Sequence, residues 1–191
     1  RQMCIRDRFN IDYKGDYNVY LNDPRNINLG KKLITNKKIL IEKERLKEIN
    51  ETEYHEILIN HTTPYSPFDI LENKSLLLEN NFDNLNAIDW DKGCYVGQEI
   101  TARMKYRGLL KKKLYALKIK SGDVLEGDEL IVDNKKIGTI VSKANSNIFA
   151  ALNINFVNEI KNKDQNLVIN DSLSFDFLNW KFFSIKTYWN Y

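Results

Sequence analysis

Cysteine and histidine are scarce in this chain, with two of each in 191 residues. Cys4 and Cys94 cannot make a disulfide framework, and they fall short of the four thiolates that an iron–sulfur cluster takes. His55 and His61 stand at no zinc-type spacing from either cysteine. A self-contained zinc or cluster site is therefore not expected. Long apolar runs are also missing: nothing approaches the roughly 20 residues of a bilayer span, and no secretory h-region opens the chain. A cytoplasmic protein with no membrane partner is the expectation. Charge of one sign is lacking too, since 29 Lys and Arg against 26 Asp and Glu leave a formal charge of +3. So mild a balance does not by itself argue for nucleic acid.

What is there is ordinary for a globular protein, with 42% hydrophobic and 29% charged residues. The length predicts one large or two small domains. The first eight residues, RQMCIRDR, are expected to be a non-native leader on an N-terminally truncated fragment, which makes Cys94 the single native cysteine. "DYNVYLNDP" (16–24) alternates as a strand does, and "NLGKKLIT" (28–35) predicts a second strand after a turn at Asp23-Pro24-Arg25. Residues 42–60 are helical in composition, with a restart capped by Thr52. Pro64 and Pro67 stop that helix, and 75–90 reads as short pieces around turns. From 110 onward seven short strand-like segments follow, among them "KKKLYALKI", "KKIGTIVSK", "IFAALNINFV" and "KFFSIKTYW", with Asp133-Asn134 as a tight hairpin turn. The expectation is an α+β chain with a boundary near 110, ending in a small antiparallel β-barrel or sandwich.

One stretch carries most of the chemistry: "DWDKGCYVGQEITARMKYRG", residues 89–108. Gly93 predicts a sharp turn, with a helix opening one or two residues after Cys94. Backbone N–H groups, the positive helix end and Lys92 would then favour a thiolate there. No histidine lies in local reach to act as a base, so a protease-like dyad is not indicated. Val96, Ile100 and Met104 fall on one helical stripe, and Glu99, Arg103 and Arg107 on another. The second stripe is either a solvated salt-bridged face or an anion clamp. Gly108 stands where a helix-ending glycine belongs. Lys105, Arg107, Lys111, Lys112 and Lys113 form a basic run with Tyr106 and Tyr115 interleaved, a weak nucleic-acid sign. Glu79, after Leu76-Leu77-Leu78, could accept N–H bonds from a heterocycle.

The run Lys92-Gly93-Cys94-Tyr95-Val96-Gly97-Gln98-Glu99 resembles, letter for letter, the K-G-C-Y-x-G-Q-E signature of the YgfZ-type folate-binding proteins. These are relatives of the glycine-cleavage T-protein. "TARMKYRG", "LLLENNFDNLNAIDWDKG", "NDPRNINLGKKLI", "YHEILINHTTPYSPFDI" and "KKIGTIVSKANSNIFAALNINF" are similar to further family segments, so the resemblance runs from 17 to about 157. A family arginine falls near Leu58 and a family glycine near Thr62. Members begin well upstream, where part of the folate pocket lies.

The resemblance implies the remainder of a T-protein-like folate-binding domain over 9–109, then a C-terminal β-barrel over 110–191. It implies tetrahydrofolate or a derivative as ligand, with Glu79 facing the pterin and Arg103 and Arg107 matching the arginines after the signature. Cys94 would be the working thiol, with Lys92, Gly93, Tyr95, Gly97, Gln98 and Glu99 shaping its turn. The implied function is an accessory role in iron–sulfur cluster assembly or repair, linked to tRNA modification. The implied partners are iron–sulfur client or scaffold proteins and, indirectly, tRNA-modifying enzymes. One native cysteine could at most share a cluster with a partner. The alternatives are a folate-dependent aminomethyltransferase or demethylase, and an RNA-binding module using the basic 103–113 face.

Overall fold

The computed structural model describes residues 18–35, 49–162, 167–170 and 172–178. The expected leader, the start of the expected 42–60 helix and the expected strand at 181–189 lie outside those residues. Strand β1 (Asn18–Asn22) pairs antiparallel with β2 (Lys31–Thr35), in a register running from Asn18 opposite Thr35 to Asn22 opposite Lys31. Their connection is short because polar groups close it. The Asp23 N–H donates to the Gly30 carbonyl at 2.9 Å. The Asp23 carboxylate accepts from the Arg25 N–H and Nε, both at 3.0 Å, and from Arg25 Nη2 at 2.8 Å. Lys32 Nζ stands 3.2 Å away. Burial pushes the Asp23 carboxyl up, but the Arg25 donors and Lys32 outweigh it and bring the pKa down to about 2.

Helix α1 (Glu51–Asn60) begins at Asn50 rather than at the expected Thr52. Asn50 wins because Glu53 lies three residues on: the Asn50 side chain accepts from the Glu53 N–H, and Glu53 accepts from the Asn50 N–H. That capping box satisfies two donors which a Thr52 start would leave open. Leu58 and Ile59 on this helix are wholly buried. Beyond it, residues 61–90 run as turns, as the Asn- and Asp-rich sequence predicts. One buried carboxylate ties them down. Asp69 receives the Tyr65 N–H at 2.7 Å and faces His55 Nε2 at 2.9 Å. It also accepts from the Ser142 hydroxyl, 73 residues further along the chain.

The six strands after 110 are β3 (Lys112–Ser121), β4 (Glu129–Val132), β5 (Lys135–Ala144), β6 (Asn147–Asn153), β7 (Leu167–Asn170) and β8 (Leu173–Phe177). They form one antiparallel sheet in the order β4-β5-β6-β3-β8-β7. Register shifts interrupt four of its five pairings. Such bulges bend strands and raise their twist, and the sheet curls until β4 contacts β7 in a nearly closed barrel. Central β3 is covered on both faces. Its period of two sends Tyr115 and Leu117 into the barrel core, while Leu114 and Ala116 meet Ile59 and Phe149 outside it. Burial pushes the Tyr115 hydroxyl up to about 12. The β5–β6 pairing is close at Gly138, where a Cβ would stand 2.5 Å from the Ala151 carbonyl oxygen.

The mixed α and β content and the antiparallel barrel agree with expectation. So does the Asp133-Asn134 turn, whose residues have φ 50° and 60°, the signs a type I′ hairpin requires. The segment "IFAALNINFV" differs: its second half is not strand but the start of helix α3 (Ile154–Asn162). Asn153 makes the switch, its side chain accepting the N–H groups of Asn155 and Phe156. Ile154, Val157 and Ile160 then bury one face at helical spacing.

Candidate functional site: the Cys94 loop

Helix α2 (Gln98–Tyr106) opens on the last two signature residues, later than the sequence predicts. Gly97, not Gly93, makes the turn: it is the N-cap residue at φ 88°, in the left-handed region that suits glycine. Gly93 is not among the residues with positive φ. Helix α2 therefore starts four residues after Cys94. The intervening chain is folded by its own groups. Gln98 Oε1 accepts the Tyr95 N–H at 3.3 Å, and the Gln98 N–H donates to the Tyr95 carbonyl at 3.1 Å. The Thr101 hydroxyl donates to the Gly97 carbonyl at 3.2 Å. Lys92 is half-buried, whereas Gly93 and Cys94 are exposed. The Cys94 thiol is free.

Helix α2 buries Thr101 and Met104. Met104 joins Leu78 and Ile88 in a small cluster that Trp90 and Leu110 flank. The expected apolar stripe is only a third right, because Val96 precedes the helix and is fully exposed and Ile100 is 58% exposed. Helical spacing tells which residues share a face; it does not say what covers that face. The polar stripe does form, with Arg103 paired to Glu99, but both side chains are more than half exposed. Pairs so exposed contribute little. Gly108 ends the helix at φ 61°, as its position predicts.

Glu79 lies on the turn that meets β3, directly after Leu78, which packs against Met104 of α2. Its backbone carbonyl accepts the Leu114 N–H at 2.7 Å. Its carboxylate is 17% exposed and stands 3.4 Å from Lys112 Nζ. A pterin needs walls as well as an acceptor. A cavity of about 610 Å³ is present, but its lining comes from residues 21–27 with Asn84 and Asn86, and Glu79 is not part of it. The described residues thus supply one acceptor for a pterin and do not by themselves enclose it.

The basic run is largely engaged within the protein. Lys105 Nζ sits over the Trp90 ring, 3.5 Å from its centroid. Lys112 faces Glu79, and Lys113, almost buried, lies 3.5 Å from Asp83. Three of the five cations thus have a partner within the protein, with Lys113 buried and Lys105 and Lys112 exposed. Trp90 and the Asp69 cluster are the residues that sequence reasoning passes over. Trp90 adjoins the signature and carries a visible signal, whereas Asp69 and Ser142 are too far apart in sequence to point at each other.

An antiparallel barrel, preceded by a K-G-C-Y-V-G-Q-E loop that presents a free cysteine to solvent, is the class of protein these residues define. This chain is similar to the mitochondrial iron–sulfur cluster assembly factor IBA57 homologue of Dictyostelium discoideum, 35% identical over 121 residues, covering 60% of this chain and 30% of that protein. A match of that length includes residues 92–99 wherever it begins. The mouse mitochondrial iron–sulfur cluster assembly factor IBA57 is 30% identical over 103 residues, 53% of this chain and 28% of that one. The Neurospora crassa homologue is 42% identical over 64 residues, 34% and 15% of the two chains. The chain is a homologue of proteins so named, in keeping with its YgfZ-type resemblance, and matches less than a third of the length of each. No family model matches it. The relatives' names place those proteins in mitochondria, not in the cytoplasm expected of this chain. Among the described residues, no helix is long and apolar enough to cross a membrane.

Proposed function

We propose that this chain acts in iron–sulfur cluster assembly or repair, as an accessory factor rather than a turnover enzyme, with Cys94 as its working thiol. The observation that carries this reading is the free, exposed thiol on a folded loop, inside the segment that matches a protein named as an assembly factor. Clusters are held by cysteine thiolates, four in the usual case. Among the described residues no three His, Cys, Asp or Glu side chains converge on a metal-sized site. Cys94 would therefore give one ligand to a cluster that a scaffold or client protein otherwise holds. Residues 9–109 are, in this reading, the remainder of a T-protein-like folate-binding domain, and 110–191 the barrel domain. Tetrahydrofolate is the proposed ligand, with Glu79 as pterin acceptor and Arg103 and Arg107 as partners for its carboxylates. Lys112 has to yield its place beside Glu79 for that contact to form. The link to tRNA modification follows from cluster supply to tRNA-modifying enzymes.

The deciding experiment is rescue of iron–sulfur enzyme activity in a strain lacking its own factor. The wild-type sequence should restore activity and Cys94→Ser should not, at equal protein level. Full rescue by the serine variant refutes the thiol reading. The folate contact is tested separately by thermal shift. Tetrahydrofolate at a hundredfold excess over its Kd should stabilise the protein by about 2.7 kcal/mol, and Glu79→Gln should shrink that gain. Equal shifts for the two proteins would remove Glu79 from the site.

A further inference from the structure

The Cys94 loop is closed at its base by a cluster that the signature does not contain. Trp90 lies just before the loop, and Lys105 and Tyr106 are the last residues of α2. The Lys105 ammonium stands 3.5 Å from the centroid of the Trp90 ring and 5.6 Å from that of Tyr106. The two rings meet edge to face, with centroids 6.2 Å apart and planes at 74°. Beneath them Trp90 packs against the cluster of Leu78, Ile88 and Met104, so one apolar patch anchors both ends of the segment. A cation over an indole face is the strongest aromatic pairing available to lysine, and the edge-to-face ring contact adds to it. Between these anchors Gly93 and Gly97 have open space around them, and the bonds between Tyr95 and Gln98 are local ones. The loop has little else to fix where it points.

We propose that Trp90, Lys105 and Tyr106 form a clasp that joins the two ends of the 91–104 segment and so holds the Cys94 thiol at a set place on the surface. This rests on the reading that the thiol is the working group. The three are positioning residues: they act on the thiol through the chain that carries it. Gly93 and Gly97 let the loop take its shape, and the clasp keeps that shape in one orientation relative to α2. A partner that must bring other cluster ligands to within bonding distance of one sulfur needs that sulfur in a fixed place. Loss of the clasp should leave the thiol exposed but displayed over a wider range of positions.

The test is hydrogen exchange in the full chain, comparing the wild type with Lys105→Met, Trp90→Leu and Lys105→Arg. Lys105→Met keeps the apolar stem and removes the cation, so the fold should be retained. The hydrogen-bonded amides of Tyr95 and Gln98, within the 91–98 stretch, should exchange roughly two- to five-fold faster in the Met and Leu variants, the factor set by a surface cation–π contact. Amides of β3, β5 and β6 should not change. Lys105→Arg should restore slow exchange, because a guanidinium also sits on an indole face. Unchanged exchange at Tyr95 and Gln98 in both variants overturns the clasp, and so does acceleration spread equally over the barrel or failure of the arginine variant to restore protection. The thiol reading fails separately: full rescue by Cys94→Ser, with accelerated exchange in Lys105→Met, leaves the clasp standing and removes its link to cluster assembly.

Discussion

The two parts of the chain bury different material. Among the described residues, those before 110 bury six hydrophobic side chains and nine polar or charged ones; those after 110 bury eighteen and three. The barrel is held by apolar area, which is non-directional and forgiving of exact geometry. The first part is held by particular partners: Asp23 with Arg25 and Lys32, Asp69 with His55 and Ser142, Asn50 with Glu53. A polar group buried without its partner costs free energy, so such a region depends on each contact being made. The Cys94 loop belongs to the polar part, and beyond its base it is held by local bonds, those of Tyr95 with Gln98 and of Gly97 with Thr101.

The comparison breaks most visibly at Phe149. It is wholly buried where the barrel's outer face meets Ile59 of α1. Phe149→Ala should cost about 3–5 kcal/mol, the transfer and cavity terms together. Denaturant unfolding followed by circular dichroism would measure it. A loss under 1 kcal/mol would mean that the barrel face and α1 are not sharing a core.

A smaller effect, confined to the polar part, is expected at low pH. The Asp23 carboxyl sits near pH 2 in the fold, against an unperturbed 3.8. The unfolded chain therefore binds the proton more readily, and stability falls as pH falls. The contribution is complete above the unfolded value and disappears as pH drops through about 2, amounting to about 2 kcal/mol at most. Asp23→Asn should flatten the acid loss of β1–β2 protection in hydrogen exchange, with barrel protection unaltered. Parallel acid profiles for wild type and variant would show that the hairpin does not rest on this carboxylate.

Legibility in the sequence follows the same division. Short strand-like segments parted by Gly, Asp, Asn and Ser made the barrel strands visible, even where β3 and β6 are buried on both faces and do not alternate. The Asp133-Asn134 turn and Gly108 were visible because their backbone needs are local. Helix α3 was hidden inside a β-branched run, although Asn153 followed by Ile154, Val157 and Ile160 carries its cap and its face. The late start of α2 was hidden because two glycines compete for the turn, and only the fold chooses Gly97. Val96 and Ile100 show the limit of periodicity, for nothing in the spacing says whether a partner covers them. The Asp69 cluster was illegible for a different reason: its serine comes from β5, and sequence distance hides a contact that only tertiary structure makes.

The seam between the two parts offers a change of opposite sign. Thr62 is buried at φ 51°, its hydroxyl lacks a hydrogen-bond partner, and the family resemblance puts a glycine near it. A β-branched residue in the left-handed region is strained by about 1–3 kcal/mol. Glycine removes that strain and the orphaned hydroxyl, and costs roughly 0.5–1 kcal/mol in unfolded-chain entropy. Thr62→Gly should therefore stabilise the protein by about 1 kcal/mol, read as a shift in denaturant midpoint at constant slope. A destabilised variant would mean that the Thr62 side chain contributes packing that outweighs its strain.

The smallest stability effect is expected at the residue with the largest functional one. Cys94 is exposed, and serine keeps its size, so Cys94→Ser should move unfolding free energy by no more than about 0.5 kcal/mol, as surface changes do. The same substitution removes a soft sulfur ligand that a hydroxyl does not replace at a cluster iron. Calorimetry and the rescue assay should therefore separate, with the melting point held and activity gone. If Cys94→Ser lost stability and rescue together, the thiol would be packing inside the loop, and the contrast between a stable barrel and a displayed, working loop would fail where it matters most.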